Sequence, residues 1–248
     1  MNNAQIFSQY SDQYARHRPQ YPDELFSYLS EIAPGRDSAW DCATGNGQAA
    51  VSLAKYFSHV DATDISTEQI ENHIPHPKIH YGISPAEHTS FADSSFDLIT
   101  VATAVHWFDP ASFHKEVDRV LKPGGILAVW TYSYFSIQPE IDEIILTELL
   151  NPVDRFWVEG NRMVLNGYRE LTMPYEEIRT PAFSIHLEWT LGQLTAYMRT
   201  WSAVKRYLGE LGTDPVESLE AKLGAFWKPE AIKTVHMPLH IRACRKPA

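Results

Sequence analysis

The chain has 248 residues, 44% of them hydrophobic, and a formal net charge of −10. That length fits one domain with embellishments, and the lack of a long uncharged apolar run sets aside a membrane-spanning helix. Acids outnumber bases 16 to 8 over residues 1–134 and 15 to 13 over residues 135–248, so neither half offers the basic face that captures nucleic acid through its phosphates.

Two cysteines, Cys42 and Cys244, make neither a disulfide framework nor a zinc set, and both read as small strand residues. Met1 to Tyr10 lacks the basic and apolar regions of a secretory signal. A cytoplasmic protein is expected, with no membrane or nucleic-acid partner.

In chain order, the segment from Tyr10 to Pro22 comes first and concentrates Arg16, His17 and Arg18 among Tyr10, Tyr14 and Tyr21. A guanidinium fork pairs bidentately with carboxylate, so Arg16 and Arg18 suit an acidic ligand; the bland alternative is surface charge balancing Asp12 and Asp23. Pro22-Asp23-Glu24 then opens a helix, with a helix-start proline and two first-turn acids, that Pro34-Gly35 stops. Strand-like runs near 38–43, 59–64, 78–82, 96–102 and 125–132 alternate with helical stretches at 47–57, 66–73 and 110–121. Such a βαβ rhythm implies a parallel sheet with ligands at the carboxyl ends of its strands.

Between the first strand and the second helix lies Asp41-Cys42-Ala43-Thr44-Gly45-Asn46-Gly47. Gly45 and Gly47 permit backbone conformations closed to other residues and let a ligand approach the main chain, beside the unpaired N–H groups of a helix start. The letters from Gly45 to Ala50 also satisfy the weak G-x-G-x-x-G/A pattern for a dinucleotide pyrophosphate. Asp41, however, repels a pyrophosphate and attracts an ammonium or sulfonium group. Asp64, nineteen positions past Gly45, ends the second strand where an acid accepts hydrogen bonds from both ribose hydroxyls. The ligand implied is a nucleoside carrying positive charge.

Further signals follow along the chain. The histidines in His73-x-x-His76-x-x-x-His80 are interrupted by Pro75 and Pro77, so they read as no metal site. His106 follows the fourth strand, where a histidine orients or deprotonates a bound group near neutral pH, or is simply structural. Trp107 and Trp130 are candidate apolar walls, and Tyr132 and Tyr134 candidate pocket linings. Beyond Tyr134 the rhythm changes: helical stripes over 140–150, 190–208 and 215–226 surround two strand candidates at 183–189 and 234–245.

The acid-x-Gly-x-Gly-x-Gly pattern matched from Asp41 to Gly47, with Ala43 at its first glycine, resembles the first motif of class I S-adenosylmethionine-dependent methyltransferases. Pro85-Ala86-Glu87, Phe91 to Ile99, Ala104 to Asp109 and Arg119 to Leu127 are similar to their later segments, in the same order. The resemblance covers roughly residues 10 to 135, and Arg18-Pro19-x-Tyr21-Pro22 is similar to the cofactor-covering segment of trans-aconitate-type small-molecule enzymes.

The resemblance implies an α/β, Rossmann-like sheet of seven mostly parallel strands flanked by helices, with an antiparallel edge hairpin and a helical lid. It implies one methyltransferase domain over 1–248: an amino-terminal cap at 1–34, a cofactor core at 35–134, a lid with one strand at 135–230 and a final strand at 231–248. It implies a cofactor site of Arg18, Asp41, Ala43, Gly45, Gly47, Asp64, Ile65, Ala86, Glu87 and Ala102, with S-adenosyl-L-methionine as donor and S-adenosyl-L-homocysteine as product. The acceptor side would be Tyr14, Arg18, Trp107, Trp130 and Tyr132, with His106 catalytic, in an in-line displacement governed by alignment. A small-molecule acceptor, preferably a carboxylic acid, and a monomer or homodimer are expected. An NAD(P)-dependent oxidoreductase and a cofactor-binding module without transfer activity stay open as alternatives.

Overall fold

The computed structural model describes residues 19–248. Tyr14, Arg16 and Arg18 lie outside the described residues. The chain divides into two compact units. One unites Gln20–Ser133, Met163–Phe183 and Leu239–Ala248; the other unites Pro19 with Tyr134–Arg162 and Ser184–Pro238.

The first unit follows the expected alternation. Helix α1 (Asp23–Ile32) buries Leu25, Phe26 and Leu29 on one face, each stabilising the fold by about 1.5–3 kcal/mol relative to exposure. Then come β1 (Ser38–Cys42), α2 (Gln48–Leu53), β2 (His59–Asp64), α3 (Thr67–Glu71), β3 (Ile79–Ile83), β4 (Phe96–Ala102), α4 (Pro110–Val120) and β5 (Leu121–Tyr132). Two helix starts carry a side-chain cap: Ser66 caps α3 by accepting from Gln69 N, and Asp109 caps α4 ahead of Pro110.

The central strands β1 and β4 are covered on both faces, which is why apolar residues such as Ala39, Trp40, Leu98, Ile99 and Val101 dominate them. The sheet order is β3-β2-β1-β4-β5-β8-β6, with β7 also paired to β8. The first five strands are parallel to one another. The strand order switches between β1 and β4, running outward to β3 on one side and to β5 on the other, so the ligand crevice of this fold opens at their carboxyl ends.

Strand β8 (Lys233–Arg245) runs antiparallel to β5, and its second half also pairs with the two-residue β6 (Glu177–Ile178). The sheet therefore has eight strands, one more than expected, because β6 is too short to announce itself in the sequence. The edge is antiparallel as expected, but it is not a tight hairpin. Between β7 (Phe183–Trp189) and β8 the chain inserts α7 (Leu191–Arg199), α8 (Ser202–Leu211) and α9 (Pro215–Leu223).

In the second unit these three helices pack on one another, and α9 also packs on α5 (Pro139–Ile145), which continues through a π-turn at Leu146–Leu150. The expected single helix over 190–208 breaks at Trp201, whose extended backbone starts α8 and whose ring joins Tyr134, Phe135, Trp157 and Tyr197. Helix α6 (Glu159–Leu165) links the two units along the chain.

Candidate active site

The glycine turn is built from three left-handed residues in five: Ala43 at φ 53°, Gly45 at 58° and Gly47 at 91°. At Gly47 a side chain is excluded twice, by φ and by Tyr81, whose Oη would lie 2.3 Å from an added Cβ. Tyr81 is fixed there by donating to Ile74 O at 2.7 Å and by stacking on His73 at 4.1 Å, while Ile74 N donates to Asn46 O at 2.9 Å. His73 therefore serves the turn, and its Nδ1 contacts Ile70 O. His80 instead pairs with Asp61. Among the described residues no group of three or more His, Cys, Asp or Glu is placed to hold a metal ion.

Asp41 is fully buried beneath this turn, not open to a ligand as expected. Its carboxylate accepts from Thr44 Oγ1 at 2.5 Å and Thr100 Oγ1 at 2.8 Å, and from the Ala50 backbone. Thr100 is its register partner across β1 and β4. Burial raises the Asp41 pKa to about 6, against these hydrogen bonds, and the nearby charge of Asp64 adds to the rise. Its role is to organise the turn and place negative charge under it.

Asp64 stands at the mouth. One carboxylate oxygen accepts from Gly45 N at 2.9 Å and the other from Ser66 N at 2.8 Å, which fixes the group while leaving each oxygen a further lone pair. Beside it Ile65 is 75% exposed, an apolar side chain open to a ligand. Ala86 is buried in the core, and Glu87 Oε1 accepts from Asp109 N at 3.1 Å, tying the loop after β3 to the start of α4. Ala102 ends β4, followed by Thr103 at φ 55°, whose N donates to Trp130 O at 2.8 Å.

These residues fit an adenosyl sulfonium ligand: a carboxylate with spare acceptors for ribose, an exposed apolar side chain for adenine, a backbone cradle closed to side chains, and a buried negative charge for the cation.

At the carboxyl end of β4 the chain forms a 3-10 turn, Val105–Trp107. His106 Nδ1 lies 2.9 Å from Tyr168 Oη, and its ring stacks on Trp107 at 4.5 Å. Burial lowers the His106 pKa to about 4, so the imidazole is neutral at ordinary pH. Trp107 is 42% exposed. Trp130 corrects its expectation: it is wholly buried, edge-on to Tyr21 and Phe26 at 5.4 and 6.0 Å, and is a core residue rather than a pocket wall. Tyr132 is 9% exposed. Tyr168 carried no signal in the sequence, because only the fold brings it to His106.

A methyltransferase domain matches residues 40–129, from the start of the glycine turn to the middle of β5. A protein of Dictyostelium discoideum named as a methyltransferase is 30% identical over 221 residues, which are 88% of this chain and 84% of the relative. The chain belongs to the class I S-adenosylmethionine-dependent methyltransferases. The solved structure of a type II methyltransferase from Anaeromyxobacter dehalogenans matches this methyltransferase with a TM-score of 0.89 and 37% identity, covering 93% of this chain and 99% of that one. A Saccharomyces cerevisiae protein named as an S-adenosylmethionine-dependent methyltransferase is 27% identical over 68% of this chain and 61% of its own length. Membership gives the methyltransferase its cofactor, S-adenosylmethionine, and sets aside the dinucleotide reading of the turn.

Proposed function

We propose that this methyltransferase acts on a small-molecule carboxylic acid, with His106 orienting the acceptor carboxylate. One observation carries the reading. A neutral, largely buried imidazole stands at the carboxyl end of β4 with one ring nitrogen committed to Tyr168 and the other without a partner among the described residues.

When bound, S-adenosylmethionine supplies the methyl group as an electrophile on a sulfonium sulfur. An acceptor carboxylate is ionised above about pH 5 and needs alignment rather than deprotonation. A neutral imidazole suits that task, since it holds an anion without carrying a proton that the anion would remove. Asp41, Asp64 and the turn form the donor half of the same proposal. The two free, buried cysteines and the acidic surface support action in the cytoplasm on diffusible substrates.

Incubating the protein with S-adenosylmethionine and panels of carboxylic acids, phenols, amines and carbon acids, with products read by mass spectrometry, tests the acceptor class. Methyl esters are the expected product. Transfer confined to phenols, amines or carbon acids would overturn the acceptor class while leaving the family intact.

A further inference from the structure

His106 Nδ1 and Tyr168 Oη lie 2.9 Å apart although the residues are 62 positions apart in sequence. Tyr168 is fully buried and holds a left-handed backbone at φ 58°. That conformation is costly for a tyrosine, by roughly 1–2 kcal/mol, and it is pinned from both sides. Its N donates to Met163 O at 3.0 Å, and its carbonyl accepts from Arg242 Nη1 at 2.8 Å. Arg242 is itself clamped by Glu177. The phenol is therefore delivered to His106 by a rigid support rather than by chance proximity.

A hydroxyl with no exposure must donate its hydrogen inside the protein. Among the described residues the Tyr168 hydroxyl has His106 Nδ1 within bonding distance, while the Thr131 hydroxyl donates to Tyr132 O at 3.4 Å. The phenol hydrogen is therefore directed at His106 Nδ1. A neutral imidazole that accepts at Nδ1 carries its hydrogen on Nε2.

We propose that Tyr168 is a positioning residue that locks His106 in the Nε2–H form, so that the site presents a neutral hydrogen-bond donor to an ionised acceptor oxygen and not a general base. The inference deepens the proposed function and rests on its placing of the acceptor beside His106. Burial agrees with it, since it keeps His106 neutral and the Tyr168 phenol protonated.

The opposite sense is explicit. Were the Thr131 hydroxyl, which donates to Tyr132 O at 3.4 Å, to accept from Tyr168, His106 would donate from Nδ1 and expose a basic Nε2.

Long-range proton–nitrogen correlation spectra of the full chain with nitrogen-labelled histidine, in the presence of S-adenosylhomocysteine, decide between them. His106 is assigned by its disappearance in His106→Gln. The expected result is an Nε2–H ring in the wild type, unchanged in Thr131→Val and converted to a tautomer mixture in Tyr168→Phe. An Nδ1–H ring in the wild type overturns the proposal, as does a Tyr168→Phe protein that folds and keeps the wild-type pattern. Should Tyr168→Phe not fold, Thr131→Val still decides, because a switch of tautomer there shows that Thr131 was the acceptor.

With an acceptor acid in hand, His106→Gln keeps a side-chain donor and should retain at least about a tenth of kcat. His106→Phe should lose about a hundredfold, and equal losses would contradict a donor role. Calorimetry of S-adenosylhomocysteine on the same samples separates the two readings: absent binding strikes the proposed function, whereas a wrong tautomer strikes only the role of Tyr168.

Discussion

The glycine turn and the His106 corner both sit at carboxyl ends of the same parallel strands, yet they are made in opposite ways. The turn uses seven consecutive residues and works through backbone groups, left-handed φ angles and a charge buried below. The corner uses side chains from three distant segments, at His106, Thr131 and Tyr168, and works through one hydrogen-bond direction. A donor common to a whole family can be held by a fixed local device, whereas the corner proposed to meet the acceptor is assembled by the fold.

The sharpest way to break the comparison is Gly47→Ala. The substitution forces a side chain into a left-handed conformation and against Tyr81 Oη, and should cost on the order of 3 kcal/mol in urea unfolding. S-adenosylhomocysteine affinity should fall more than tenfold. Adding Tyr81→Ala should recover the steric part but not the φ strain; no recovery would mean that Tyr81 does not shape the turn.

Asp41 comes next. Its pKa of about 6 in the folded state stands above the usual carboxylate value, so the native state binds the extra proton between about pH 4 and pH 6. Stability therefore declines as pH rises through that window, and above it the ionised carboxylate carries a constant penalty on the order of 2–3 kcal/mol. Asp41→Asn should match the wild type near pH 4.5 and be the more stable protein at pH 7.5 by thermal unfolding. The same change should weaken S-adenosylmethionine more than S-adenosylhomocysteine, which lacks the sulfonium charge. Equal weakening of both would show that Asp41 acts on the turn's shape and not on charge.

Asp64→Ala should weaken cofactor binding by roughly 1–3 kcal/mol, the scale of lost hydrogen bonds to a charged group, while His106→Gln should leave the same calorimetric affinity unchanged. Unchanged affinity after the Asp64 change would remove it from the site.

The difference between the regions also explains what the sequence could reveal. Strands β1 to β5 were legible because buried parallel strands show as apolar runs between turn residues, and the turn was legible because its parts are contiguous. Thr100 was half legible: a lone threonine among Leu98, Ile99 and Val101 marks a buried polar need, but register is required to aim it at Asp41. Trp130 misled because its place at the end of β5 suggested a pocket wall, whereas its face of the strand packs on α1 through Phe26. Tyr168 was illegible because nothing within its own segment refers to His106. The break at Trp201 escaped because a ring cluster, a tertiary demand, overrode a continuous helical stripe.

The smallest expected effect lies at Ala43, where the chain departs from the glycine of the resembled motif yet keeps the left-handed backbone, with φ at 53°. An alanine there costs about 1–2 kcal/mol relative to a right-handed conformation, and glycine relieves that strain while losing about 0.4–1 kcal/mol through the freedom it gives the unfolded chain. Ala43→Gly should therefore stabilise the protein by only about 0.5 kcal/mol and leave S-adenosylhomocysteine affinity within twofold, since the conformation presented to the ligand is already the glycine-like one. A loss of stability would mean that the alanine methyl packs usefully enough to offset its strain. A large gain in affinity would mean that the strained turn holds the donor less well than its relaxed form, which would make the turn, like the His106 corner, a place where side-chain identity sets function.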